Sequence, residues 1–525
     1  MSMTLRPLRA TRSAARTPAG PPPITTRSNC SSPIGNPRFE EKVYHISHGC
    51  ADGDPGIHSF HTYMEQLTRS RRVLYANGHL GFSILDNVYG AYLLFFLIPP
   101  DELGMPQLVD NRPLLLGITM VGLINIFGRV VDSLADPLVA WWSDNARYRL
   151  GRRRFFLLTG AIPFALSAVF LFTPPDSGIS SLNAVYVAGM LGLFFFFYTY
   201  YMAPNLALIP ELSRTVGERI SITVTQAAFS IAGAGVVLLG FPLLWGGLQA
   251  GGVETGTAFR LTVVVLAAIA GISMLLSGLA VDEKRFVRGG SAQIGLVESV
   301  KRTLVNRYFI VYMVGTILYW FGFNMIRAVI AYYPIVLLGM GPDFQSILMA
   351  TLFGTAVLVF LLLPKLTQRF THKQLMLAGM LSFSVLMSFT AVIRSFGSFA
   401  LPAALIQMGL MGFPIAILLV VPNAAVADLS ELDGRKTGQN REAMFFGTQG
   451  LFMKVNYGLA LAITAGLLGF FGRDAGNPLG VELVGPVGSV FVLAGFLLFL
   501  RYPQQKILDE LETLRAADET PENTD

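Results

Sequence analysis

The sequence predicts an all-α membrane protein in which twelve transmembrane helices form two six-helix bundles. Three observations predict it. The chain is 53% hydrophobic and only 14% charged, where a soluble domain carries about 25% charged residues. Positive charge falls in every second loop. A short motif recurs six spans apart.

A bilayer core about 30 Å thick takes roughly 20 apolar residues per helical crossing. Windows of that length fall at 76–98, 114–142, 154–173, 182–202, 221–245 and 260–281, then at 308–338, 344–363, 374–394, 399–426, 442–471 and 482–501. The segment before span 1, the even-numbered loops and the tail hold most of the 39 Lys and Arg. The alternate loops and their edges hold only Arg112, Arg260, Arg394 and Arg473. Positive loops stay inside, so both termini are expected on the cytoplasmic side of the cell membrane. The same distribution accounts for the net charge of +6 without a nucleic-acid partner.

The expected organisation follows: a bundle over 64–281, a cytoplasmic linker over 282–307, a second bundle over 308–501 and a cytoplasmic tail over 502–525. Residues 1–63 are expected to be a disordered tail. Up to Arg38 they hold six Arg and no acid, a composition that also resembles a transit peptide. His45, His48, Cys50, His58 and His61 fit no standard zinc spacing. Both cysteines precede span 1, so no disulfide or thiolate metal site is expected in the membrane body.

The division into halves has an internal echo. Span 4 ends APNLALIPELS (203–213) and span 10 ends VPNAAVADLSE (421–431). Both read Pro-Asn-x-Ala followed by an acid, Glu211 or Asp428, as expected of two halves related by an axis along the membrane normal.

Candidate site residues are ionisable groups inside apolar spans. In GRVVDSLADP (128–137), Arg129, Asp132 and Asp136 continue a stripe from Asn125 along one helix face. An Asp at mid-bilayer costs about 2.5–3.5 kcal/mol even on lenient scales and faces a bundle interior or wet cavity. Two acids one turn apart require a cation between them or a retained proton. Asp86, Arg327 and Lys454 lie at comparable depth, and Lys454 shares a stripe with Gly447, Gly450 and Gly458. A set of structural ion pairs is one reading. A cation- or proton-coupling site better explains three acids in one half, because buried pairs stabilise no better than apolar packing. Trp320 and Asn324 share the face of Arg327, and Tyr200 and Tyr201 precede the Pro204 break, which makes them candidate substrate contacts. In SDNARYRLGRRRFF (143–156), Asp144, Arg149, Arg152 and Arg153 read as a cytoplasmic gate that latches the halves together.

These residues carry a resemblance. The stretch RVVDSLADPLVAWWSDNARYRLGRRR (129–154), with PNAAVADLSELDGRKTGQNREAMFFG (422–447) and Lys454, resembles the glycoside–pentoside–hexuronide:cation symporters of the major facilitator superfamily, the melibiose-permease-like group. The resemblance covers about 70–501. It implies cation or proton binding at Asp132 and Asp136, structural support from Arg129, a link through Lys454 to the second half, and substrate contact near Asp86. It departs from sodium-using members at Ala203, where they carry a further Asp, at Gln226 in place of a sugar-binding Arg, and at Leu419 in place of a Trp. Fewer cation ligands favour H+ over Na+ as coupling ion.

The function expected is symport of a sugar- or glycoside-like small solute by a monomer in contact with membrane lipids. A carrier of lysolipids or other amphiphiles is the alternative within transport, and a non-transporting sensor or assembly factor the alternative outside it. Neither a catalytic His–Ser–Asp set nor a phosphate loop is present, and His79 is the one histidine of the membrane body. The chain is therefore expected to be neither an enzyme nor ATP-driven, with no cofactor.

Overall fold

Helices follow the apolar windows because a backbone in hydrocarbon must satisfy its own hydrogen bonds. The computed structural model describes residues 68–114, 117–213, 215–283, 306–437 and 442–519. The tail expected over 1–63 and nearly all of the linker expected over 282–307 lie outside the described residues. The first half comprises α1 (Arg69–Leu97), α2 (Met120–Asn145), α3 (Arg154–Leu171), α4 (Ser181–Leu212), α5 and α6 (Thr255–Ala280). Here α5 runs Val216–Gly235, passes a π turn at Val236–Gly240 and continues as Phe241–Ala250. The second half comprises α7 (Arg307–Val329), α8 (Phe344–Arg369), α9 (His372–Ser388), α10 (Ala400–Thr437), α11 (Glu442–Phe471) and α12 (Leu479–Phe499).

Several helices start where a short polar side chain takes free N–H groups. Thr119 accepts from Gly122 N, Thr215 from Glu218 N, and Asn306 from Tyr308 N and Phe309 N, while Thr371 and Gln374 form a capping box. Helix ends overrun the windows where polar residues continue a helix beyond the apolar run, as α10 does to Thr437. Among the described residues, eleven helical stretches are long and apolar enough to cross a membrane. The exception is α2, in which every 18-residue window holds Arg129, Asp132 and Asp136.

The sequence echo has a structural counterpart in each half. Tyr75 of α1 donates to the Asn205 carbonyl of α4 at 2.5 Å, and Tyr312 of α7 to the Pro422 carbonyl of α10 at 2.7 Å. Glu211 pairs with Arg152 and Arg153 before α3, and Asp428 lies 3.4 Å from His372 at the start of α9. The repeated motif thus ties the fourth helix of each half to its first and third.

Polar contacts join the halves from mid-membrane to the face opposite the termini. Tyr332 donates to the Ile98 carbonyl at 2.7 Å, and Asn111 to the Ala465 carbonyl at 2.9 Å. Arg473 donates to the Pro99 carbonyl and to Gln107, both at 2.9 Å, while the Asp101 N–H donates to Asp474 at 2.7 Å. On the termini face, a further helix α13 (Gln504–Glu519) docks on the second half, with Ile507 and Leu511 buried and Arg515 2.7 Å from Glu431. The expected tail is, over these residues, a packed element.

If the Arg473 clasp holds the far face shut, Arg473→Ala frees Gln107, whose amide donates to the carbonyl of the fully buried Val109 at 2.7 Å, and exposes Val109. With Cys30 and Cys50 replaced by Ser, a Val109→Cys probe is expected to react several-fold faster with a membrane-impermeant thiol reagent once Arg473 is removed.

Candidate functional site

The α2 stripe faces α4 and α11 and forms a closed charge cluster. Asp132 is fully buried. Its Oδ2 lies 3.1 Å from Arg129 Nη1, and its Oδ1 accepts from Lys454 Nζ at 2.7 Å and from the Thr199 hydroxyl at 2.9 Å. Lys454 Nζ also donates to both oxygens of Asp136, at 2.7 and 2.8 Å, and the Thr199 hydroxyl, with one proton to share between the acids, lies 3.2 Å from Asp136 Oδ1. The cation required between the two acids is therefore the lysine ammonium of the other half. Two guanidinium or ammonium charges face two carboxylates, so the cluster is neutral when all four are ionised. Asp136 is the accessible member, its side chain 30% exposed.

Arg129 is held by rings as well as by charge. Its guanidinium stacks 4.2 Å from the centroids of Phe195 on α4 and Tyr457 on α11. Close approach of α11 depends on Gly458, where an added Cβ would meet the Arg129 side chain at 2.8 Å.

A second pair crosses the halves next to this cluster. Arg327 of α7 donates to the Asp86 carboxylate at 2.9 Å and to the Asp86 carbonyl at 2.7 Å on α1. Gly90 makes room for it, since a Cβ there would lie 2.5 Å from Arg327 and 2.0 Å from the Tyr457 hydroxyl. The Tyr457 ring sits 5.3 Å from the Arg327 guanidinium, so one aromatic ring contacts both cationic centres. The Asp86–Arg327 pair forms part of the wall of a cavity of about 360 Å³, lined from α1, α5, α7, α8 and α10. That size falls within the roughly 300–1,000 Å³ of small-molecule sites.

The structure brings together Arg129, Asp132, Asp136 and Lys454, and it sets Asp86, Trp320 and Arg327 on the cavity. Others of the expected set lie elsewhere. Tyr200 is buried against α3, bonded to Thr159 at 3.1 Å and packed on Phe156. One residue is about 100° on a helix, so Thr199 takes the cluster-facing position and Tyr200 turns away. Tyr201 is a core residue bonded to the Met274 carbonyl. Asn324 is buried and outside the lining, because the cavity face of α7 centres on Phe323 and Ile330 and carries Asn324 roughly 100° from it. Gln226 donates to Asn205 Oδ1 at 3.4 Å, within a buried group that includes His79, rather than reaching the cavity. Of the three stripe glycines on α11, Gly458 is tightly packed while Gly447 and Gly450 face open space.

The gate residues also pair differently from expectation. Arg153 bonds Asp144 at 2.9 Å and Glu211 at 2.7 Å, Arg152 bonds Glu211, and Glu283 accepts the Arg153 and Arg154 N–H groups at 2.9 and 3.1 Å. All of these lie in the first half or, for Glu283, just past the end of α6. Arg149 is exposed and stands apart from them. Among the described residues, these contacts brace α2, α3 and α4. Thr199 and Tyr457 were not singled out by the sequence, where each sits in an ordinary aromatic-rich helix.

Two helical bundles meeting over a buried charge cluster and a central cavity have the architecture of a multi-pass membrane protein. A family model described as MFS/sugar transport protein matches residues 74–506, and the chain belongs to that family. An uncharacterised symporter of Synechocystis is 24% identical over 84% of this chain and 95% of its own length. The isoprimeverose transporter of Lactiplantibacillus pentosus is 22% identical over 86% and 92%. Among solved structures, a bacterial homologue of the human lysosomal transporter Spinster, described as inward-facing and unoccupied, aligns with TM-score 0.57 at 14% identity over 84% of this chain and 97% of that one. The nucleoside transporter NupG aligns with TM-score 0.54 at 11% identity over 83% and 99%. These structures share the major facilitator fold.

Removing one partner from a buried ion pair costs about 3–5 kcal/mol. Lys454→Ala is therefore expected to lower the thermal midpoint sharply, and Asp136→Asn added to it to recover much of the loss by restoring neutrality. Tyr457→Phe is expected to be near neutral, because the Tyr457 hydroxyl is buried without a partner among the described residues. Tyr457→Ala loses two cation–ring contacts worth about 0.5–2 kcal/mol each. Thermal unfolding in nanodiscs measures both series.

Proposed function

We propose that the protein is a secondary active transporter that couples a cation to symport of a sugar- or glycoside-like solute by alternating access. The observation that carries this reading is Lys454 of the second half bound between Asp132 and Asp136 of the first. A cation arriving at those acids competes with the ammonium and so acts on a contact between the halves. Coupling is then linkage: cation and solute each favour the state the other needs.

A proton suits the site better than sodium. Arg129 occupies one Asp132 oxygen and Lys454 the remaining carboxylate oxygens, while Ala203 adds no ligand one turn beyond Thr199. A carboxylate needs no coordination shell to take a proton. Asp136, the exposed member, is the entry point; its protonation loosens Lys454, leaving Asp132 paired with Arg129. The Asp86–Arg327 pair and Trp320 contact the solute. Relatives named as an isoprimeverose transporter and a lactose permease support the sugar class. With positive loops inside, the termini are cytoplasmic, the protein lies in the cell membrane and works as a monomer, and the far-face clasp lies on the outer side.

Proteoliposomes reporting internal and external pH test the assignment against sugars, glycosides, uronates and lysolipids, with and without sodium. The expected result is a solute-dependent proton movement in sodium-free buffer that Asp132→Asn abolishes while the variant still inserts. A signal confined to sodium buffer would assign the coupling ion to sodium. Silence with the whole panel would overturn symport.

A further inference from the structure

The cavity has two chemically different sides, and the inference drawn from them rests on the transporter reading and narrows its substrate. Ser83, Asp86 and Asn87 of α1, Ser230 of α5 and Arg327 of α7 make up its polar side. Part of that polarity is already used within the protein. Ser83 donates to the Ser230 carbonyl at 2.7 Å, and the Asn87 amide donates to the Ser83 carbonyl at 2.8 Å. Arg327 bonds Asp86 through Nη2, and the two side chains remain 11% and 22% exposed on the cavity side. The charges of Asp86 and Arg327 offset each other, which suits an uncharged head rich in hydroxyls.

The opposite side differs completely. Every lining residue from α8 and α10 is apolar, including Met349, Leu352, Met408 and Met411. Ile231 and Leu419, 41% and 40% exposed, mark the open edge. One sugar ring can set its hydroxyls against Asp86 and Arg327 and an apolar face on Trp320. A second ring would press hydroxyls on a wall with nothing to bond, and buried unpaired hydroxyls are costly. An apolar group gains from the same wall, and methionines adapt to its shape.

We infer that the cavity takes a glycoside with an apolar aglycone, sugar toward Asp86–Arg327 and aglycone against the α8–α10 wall, in preference to an oligosaccharide. The test is equilibrium binding to the full chain in nanodiscs. For each of glucose, galactose, xylose and glucuronate, the probes are the free sugar, a disaccharide of it and its phenyl glycoside. The phenyl glycoside of at least one sugar is expected to bind tenfold or more tighter than both its free sugar and its disaccharide. Leu352→Gln, with folding checked by thermal midpoint, is expected to cut that preference at least fivefold.

A disaccharide binding as tightly as the phenyl glycoside overturns the inference, as does an unchanged preference in folded Leu352→Gln. Binding of a lysophospholipid with no glycoside of the panel overturns the sugar head. Tenfold preference without any gradient-driven flux in proteoliposomes would leave this inference standing and remove the proposed symport. Flux of a disaccharide bound equally well would do the reverse.

Discussion

The ammonium of Lys454 between two carboxylates of α2 is the constraint on which the rest of the structure depends. It places four charges at mid-membrane, where isolated ones are expensive, and makes them neutral only when the two halves are together. Such a cluster adds little stability over apolar packing. What it adds is a charge contact set at the seam between the two halves. Gly458 lets α11 come close enough to Arg129 of α2 for Lys454 to reach both acids.

The cavity and the cluster share a physical connection. Arg327 lines the cavity, Arg129 faces the acids, and the Tyr457 ring lies against both. Gly90 leaves room for this arrangement on the α1 side. Movement of one guanidinium therefore changes the packing of the other through a single rigid ring. The far-face clasp and the terminal-face braces are unequal in kind: one joins the halves, the other stiffens the first half.

Much of this was legible in the sequence. Apolar length gave the spans, because hydrocarbon thickness fixes helix length, and charges in apolar helices marked the interior face. The repeated Pro-Asn motif marked the halves, and the tyrosine bonds to it occupy matching places in each. Other features were illegible for physical reasons. Helix phase errors of one residue rotate a side chain by about 100°, which separates Thr199 from Tyr200 and the cavity face of α7 from Asn324. Whether an Arg at a loop pairs within its half or across the seam depends on conformation, so Arg152 and Arg153 had no sequence signature for their partners. Gly447 and Gly450 repeat at helix spacing yet face open space, since spacing does not say what lies opposite.

The most direct test compares two transport modes in Asp136→Asn proteoliposomes: solute exchange at equal pH, and accumulation driven by an imposed pH gradient. If the cluster is the coupling device, exchange continues while accumulation above the outside concentration disappears. Accumulation equal to that of the parent protein would contradict the account.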